Sequence, residues 1–268
     1  MFAQLSTIWR YRYFWTSLVK MDLRVRYRRS LLGIGWSLLN PILMTLVFCV
    51  VFAKWQSGPA GSGHWRIYAP HVLGGLAIWD FIMACALGGC TTFFRNECYI
   101  RQCPLPLPIY HLRTVLGAGI HFLIAMAVVI VAASVLHPTD ATTALGVLWA
   151  VIPSLLLLFV FAMSVSLLCG FMTVFFQDTQ QLLEVFFRLF FFLSPIMYTN
   201  QFLVEHGHTW LISISPVATF LDLIRQPLLT GELPRAWLYV KACLMVLLVL
   251  GLAVLVVTRL EKKLIFHL

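Results

Sequence analysis

Four arginines, Arg24, Arg26, Arg28 and Arg29, stand at the head of an apolar stretch that runs on to about residue 53. The planar guanidinium fork donates bidentate hydrogen bonds that match phosphate oxygens, so the cluster has the chemistry to hold an anionic headgroup. The same charges also have a purely topological reading. A charge at the bilayer centre costs about 2.5–3.5 kcal/mol, so the arginines must stop at a membrane surface while the chain beyond them enters lipid. Glu184 and Arg188 lie four residues apart within another apolar segment, on one helix face and in the order that favours an ion pair. They either neutralise each other inside the bundle or contact a substrate or second subunit. Asp80, next to Trp79, is either a capping or packing residue or part of a polar wall. His111 and His121 read as satisfied bundle residues rather than ligands. Asp178 is placed to cap the helix that follows it.

Bond-making chemistry has no comparable footing. The glycine-rich stretch at 58–63, GPAGSG, lacks the Lys-Ser/Thr that contacts phosphate and magnesium, and it reads as a flexible outer loop. Neither HExxH nor GxSxG occurs. The seven cysteines (49, 85, 90, 98, 103, 169 and 243) form no CxxC pair, which argues against a zinc site or a disulfide framework. Most suit the role of small hydrophobes in helices. Cys98 and Cys103 fall in a cytoplasmic loop, where thiols stay reduced. A membrane acyl- or glycosyltransferase would need a polar catalytic cluster, and Asp80, His111 and Glu184 are scattered. The expectation is a protein without bound cofactor or metal, whose energy for any driven transport comes from a partner or an ion gradient.

The elements that must position these residues lie in a membrane. The chain has 268 residues, 61% hydrophobic and 11% charged, where a soluble domain carries about 25% charge. Mean hydropathy is +0.90. The net charge of +9 is then the inside bias of a membrane protein facing anionic lipid, not a nucleic-acid footprint. The first thirty residues are aromatic and basic, with no continuous apolar core or small-residue cleavage site, so no cleavable signal peptide is expected.

Six segments have the length and composition of spans: 32–53, 70–94, 109–136, 143–176, 180–198 and 237–260. The fourth is long enough to tilt or project, with Pro153 at a kink. With the N-terminus inside, 13 basic residues (Arg10, Arg12, Lys20, Arg24, Arg26, Arg28, Arg29, Arg95, Arg101, Arg113, Arg259, Lys262 and Lys263) fall on the cytoplasmic side. Five (Lys54, Arg66, Arg225, Arg235 and Lys241) fall outside, which places both termini in the cytoplasm. Residues 1–20 mix Trp9, Tyr13 and Trp15 with Arg10, Arg12 and Lys20, as suits an amphipathic helix in the inner interface. The stretch 200–234 is too polar to span, and its short apolar runs, broken by Pro216 and Pro227, read as two re-entrant helices in the outer half of the membrane. Irregular backbone at that depth needs protein or a water-filled cavity around it, which favours a conduit nearby; an ordinary amphipathic surface loop is the other reading. The expected fold is an all-α integral membrane bundle forming a single domain over 1–268.

Aromatics supply the remaining pattern. The fifth segment holds Phe186, Phe187, Phe190, Phe191, Phe192 and Tyr198, and the first holds Trp36, Phe48 and Phe52. Such rings either face lipid or stack on sugar faces, a contact with little positional specificity that would let a polymer slide.

Ordered along the chain, these pieces resemble one family. Residues 24–41 (RVRYRRSLLGIGWSLLNP) resemble its basic stretch followed by Leu-Gly-x-x-Trp and Asn-Pro; 75–79 (GLAIW) its Gly-Leu-x-x-Trp; and 194–198 (SPIMY) its Ser-Pro-Ile-x-Tyr. Tyr99–Pro108 is similar to its loop between the second and third spans, and Ser215-Pro216 with Arg225 to its re-entrant segment. The chain is therefore identified as resembling the membrane permeases of ATP-binding-cassette exporters of lipid-linked polysaccharide (O-antigen, teichoic acid and capsule types). It departs from the pattern at Gln177-Asp178, often Arg-Asp, at Ser215, usually Asn, and in carrying Glu184 and Arg188 in a span expected to be smooth.

The resemblance implies a homodimer in the bacterial inner membrane, joined by two copies of a separate ATPase that holds ATP and magnesium, with a tunnel at the dimer interface. Under it, Arg24, Arg26, Arg28 and Arg29 meet the lipid head, and Leu32, Gly33 and Trp36 belong to the inner gate. Phe48, Phe52, Phe187, Phe191 and Tyr198 would line the tunnel. Pro195, Pro216 and Arg225 would form the outer gate, and Glu97, Tyr99 and Arg101 would touch the ATPase. A permease for drugs or small lipids would share the fold and stands as the alternative.

Overall fold

The computed structural model describes residues 9–28, 33–56, 65–102, 105–136, 148–198 and 215–267. Among the described residues all regular structure is helical. The helices are α1 (Arg12–Tyr27), α2 (Trp36–Gln56), α3 (Trp65–Arg95), α4 (Glu97–Gln102), α5 (Pro108–Leu136), α6 (Val151–Phe175), α7 (Thr179–Leu193), α8 (Pro216–Arg225) and α9 (Ala236–His267).

Four of them carry stretches long and apolar enough to cross a membrane: Tyr68–Arg95, Pro108–Leu136, Val151–Phe175 and Ala236–Glu261. These match the second, third, fourth and sixth expected spans. The first expected span appears as α2, whose apolar stretch, Leu38–Phe52, is shorter. The fifth is the 15-residue α7.

α3 is the centre of the bundle. It packs along α5 and α6, and α6 packs in turn along α9. The α3–α6 approach is close because Gly89 lies against the backbone of Ser166, where an added Cβ would stand 2.8 Å from its Cα. Small residues allow such contact in a lipid setting, where apolar burial alone does not drive helices together. α1 lies on α5, α2 on α3 and α5, and α7 rests on the flanks of α3 and α6.

Three expectations shift here. The fourth span begins at Val151 within the described residues, so Pro153 occupies the first turn, where its missing N–H costs nothing, and makes no mid-span kink. The fifth does not reach Tyr198. Its helix stops at Leu193 because Pro195 drives Ser194 into extended backbone, ψ 145°. In the stretch expected to be re-entrant, Pro216 opens a helix where it was expected to divide two: Ser215 caps it by accepting from the Ala218 N–H at 3.3 Å. Pro227 falls in a π turn over Gln226–Thr230, which Gly231 ends with φ +66°. The first of the two expected re-entrant helices, around 211–214, lies outside the described residues.

Candidate functional site

Three clusters gather part of the expected site residues. The first is where α7 ends. The chain leaves the helix at Ser194, and the carbonyls of Pro195 and Ile196 have no helical partner to follow. Arg225, at the last residue of α8, supplies one. Its Nη1 donates to the Pro195 carbonyl at 2.8 Å, and Nη2 donates to the carbonyls of Ile196 and His71, both at 2.9 Å. Arg225 is 6% exposed, and its Nε has no hydrogen-bond partner among the described residues. It fits only because residue 75 of α3 is glycine: a Cβ there would collide with Nη2 and come within 3.2 Å of the Ile196 oxygen. His71 Nε2 lies 3.3 Å from the Tyr198 carbonyl, completing the junction of α3, α8 and the α7 exit. Pro195 and Arg225 therefore meet, whereas Pro216 stands at the opposite end of α8.

The second cluster is an aromatic groove between α2, α3 and α7. Phe48 of α2 meets Phe191 of α7 at 6.2 Å and its own neighbour Phe52 at 5.9 Å. Trp79, buried in α3, is the hub: Phe187 and Phe191 both meet its ring edge-on at 5.6 Å. On one side of Trp79 opens a cavity of about 380 Å³ reached by Glu184, Phe187, Arg188, Phe191 and Phe192. On the other lies one of about 200 Å³ reached by Asn40, Pro41, Phe48, Asp80 and Phe191. Phe48, Phe187 and Phe191 are thus brought together, with Phe52 at the edge. Tyr198 lines neither cavity and belongs to the Arg225 junction. Trp79 was legible only as part of a motif; its role as hub follows from the packing. Asp80 lines the smaller cavity.

Glu184 and Arg188 do not form the intrachain ion pair that their spacing favours. Both are exposed on α7, and the Glu184 carboxylate accepts from Gln180 Nε2 at 3.2 Å instead. Asp178 stands at the start of α7, but its side chain makes no cap hydrogen bond; its backbone is already helical, φ −71° and ψ −7°, which turns the carboxylate away from the free N–H groups. His111 is buried in the bundle and only half satisfied: Nδ1 lies 3.0 Å from Ser166 Oγ, while Nε2 has no hydrogen-bond partner among the described residues.

The third cluster lies where α1 meets α3, α4 and α5. Arg113 of α5 grips Asp22 of α1 through Nε and Nη2, at 2.6 and 2.5 Å, and donates from Nη1 to Asn96 at 2.7 Å. Asn96 in turn donates to the Thr92 carbonyl at 2.7 Å, so the turn between α3 and α4 is fixed as well. Sequence reasoning missed this network. Its only signal was a lone acid, Asp22, among the basic residues of the first thirty. α4 is a short exposed helix whose Glu97 and Arg101 pair at 2.8 Å, while Tyr99 meets Phe14 of α1 edge-on at 6.2 Å. Glu97, Tyr99 and Arg101 are therefore held together and joined to α1.

Arg24 and Arg28 are exposed at the end of α1. Arg26 lies on α1, with its side chain outside the described set, and Arg29 and Leu32 are outside the described residues. Gly33, at φ +50°, opens the short turn into α2, a left-handed conformation that disfavours any side chain. Trp36 begins α2 and is 54% exposed. Among the described residues no group of His, Cys, Asp and Glu could hold a metal ion.

Comparison with known proteins places these clusters in context. Residues 13–229 match the family model described as ABC-2 type transporter. An O-antigen export system permease protein, RfbA, of Klebsiella pneumoniae is 25% identical over 216 residues, covering 81% of this chain and 80% of that protein. A second RfbA from Klebsiella pneumoniae is 24% identical over 88% of each chain. The RfbA of Myxococcus xanthus is 21% identical over 85% of each.

Proposed function

Because the chain belongs to the ABC-2 type transporter family, we propose that it is the permease subunit of an ATP-driven exporter that carries lipid-linked polysaccharide across the bacterial inner membrane. It is a multi-pass transport subunit rather than an enzyme, and ATP hydrolysis falls to a separate ABC ATPase. The observation that carries the polysaccharide reading is the near full-length likeness to three permeases named for O-antigen export. The aromatic groove around Trp79 supports it, because rings on two facing helices suit sugar faces.

In this reading α2 and α7 complete a six-span bundle with both termini in the cytoplasm. Two protomers face each other across the α2–α7 groove, which becomes the conduit for the polymer. The arginines from Arg24 to Arg29 meet the phosphate-bearing lipid head, and Leu32, Gly33 and Trp36 form the inner gate. The Arg225 junction, with Pro195 and Pro216, forms the outer gate beside the re-entrant segment. α4, with Glu97, Tyr99 and Arg101, transmits the stroke of the ATPase, which binds ATP and magnesium in two copies, to α1.

Deleting the gene in its host and separating surface polysaccharide from polymer retained inside tests the reading. Loss at the surface with lipid-linked polymer accumulating inside is the expected result. Unchanged surface polymer would overturn it in favour of a drug or small-lipid exporter; absence of polymer altogether would favour a synthetic role.

A further inference from the structure

α7 buries only Thr179 and Phe187 fully, and its outward surface divides into two chemically different stripes. One is apolar, with Leu182, Val185, Phe186 and Leu189 exposed, and suits lipid. The other carries Gln181, Glu184 and Arg188, all exposed, at the spacing of one helical face. A carboxylate and a guanidinium within a membrane helix cannot both be left to hydrocarbon. Nor are they neutralised within the chain: among the described residues the ion pairs are Glu97–Arg101 and Asp22–Arg113. The charged stripe borders the cavity floored by Trp79, Met83 and Leu87, so whatever covers it also closes that cavity.

An acid and a base one turn apart on one face form a self-complementary pattern, the kind a two-fold interface uses twice. Across an axis normal to the membrane, equivalent residues stand at equal depth. Helical side chains lean toward the N-terminal end of their helix, so a long arginine at 188 reaches down toward the depth of residue 184 on a facing helix. We propose that Glu184 of each protomer pairs with Arg188 of the partner subunit, so that two reciprocal ion pairs hold the two α7 helices together beside the conduit. The inference rests on the homodimer reading above and assigns its charged contact.

Co-expression of two differently tagged full-length chains, one carrying Glu184→Arg and the other Arg188→Glu, tests it together with the partner ATPase. Like pairs of these chains place equal charges opposite each other, whereas the mixed pair restores attraction. The ratio of mixed to like dimers recovered from detergent should rise at least about fivefold over that of wild-type chains bearing the same tags. A ratio equal to wild type would overturn the cross-subunit pairing while leaving the dimer intact. Wild-type chains that do not co-purify at all would instead remove the homodimer reading itself. Should the reversed chains not accumulate, Glu184→Cys on one chain and Arg188→Cys on the other give a second reading. A disulfide-linked mixed dimer that needs both new cysteines supports the pairing, and its absence overturns it.

Discussion

Arg225 donates to the carbonyl of Pro195 at 2.8 Å, and this bond ties the last residue of α8 to the first residues beyond α7. A proline stops α7 in the sequence, and an arginine thirty residues later absorbs the backbone groups that the stop exposes. A buried cation coordinated by three carbonyls is costly to disturb, because both the charge and its acceptors lose partners.

Arg225→Ala should therefore lower stability by about 2–4 kcal/mol, the scale of losing charged hydrogen bonds to buried acceptors. Arg225→Lys should recover less than half of that, since an ammonium cannot present the planar fork that reaches all three oxygens. Thermal unfolding of the detergent-purified protein measures both.

Gly75→Ala should reproduce the Arg225 defect without touching the arginine, since the new methyl group would occupy the space of Nη2. The double variant Gly75→Ala, Arg225→Ala should be no worse than the poorer single one, the signature of two changes acting on one contact. Additive losses in the same unfolding assay would show that Gly75 serves a different contact.

Asp22→Ala removes the acceptor of Arg113 Nε and Nη2 and leaves a largely buried guanidinium with the Nη1 bond to Asn96. The expected cost is about 2 kcal/mol, concentrated at α1. Limited proteolysis should find α1 cleaved sooner while the cores of α3 and α6 stay protected. Asp22→Asn should lie in between.

Glu97→Lys or Arg101→Glu breaks an ion pair that is exposed on both sides, a contact worth no more than about 1 kcal/mol. Accumulation in the membrane should stay at the wild-type level. Export and permease-stimulated ATP hydrolysis should fall several-fold if α4 meets the ATPase, and unchanged export would remove that role.

Spans were legible because lipid imposes a length and a composition on any helix that crosses it; Tyr68–Arg95 and Pro108–Leu136 could be read by hydropathy alone. The stop at Ser194 was present in the Ser-Pro dipeptide, yet the expected span ran on to Tyr198 because apolar composition does not register a backbone break. Phe48, Phe187 and Phe191 could be proposed as one surface from their ring chemistry, although periodicity cannot say which rings face a partner helix.

What the sequence determined by itself was local: which segments are apolar, where prolines and glycines interrupt them, and which charges must avoid lipid. The tertiary structure decided which distant groups meet. Glu184 and Arg188 have the spacing of a pair and are not one: both stand exposed at the edge of the Trp79 cavity, and Glu184 accepts from Gln180 instead. Asp22 and Arg113, ninety-one residues apart, have no spacing to suggest them and form the tighter of the two ion pairs among the described residues. Arg225, Gly75 and Pro195 show the same limit. Each is a weak signal alone, and only the crossing of α3 and α8 at the end of α7 makes the cation, the empty space and the unpaired carbonyl one feature.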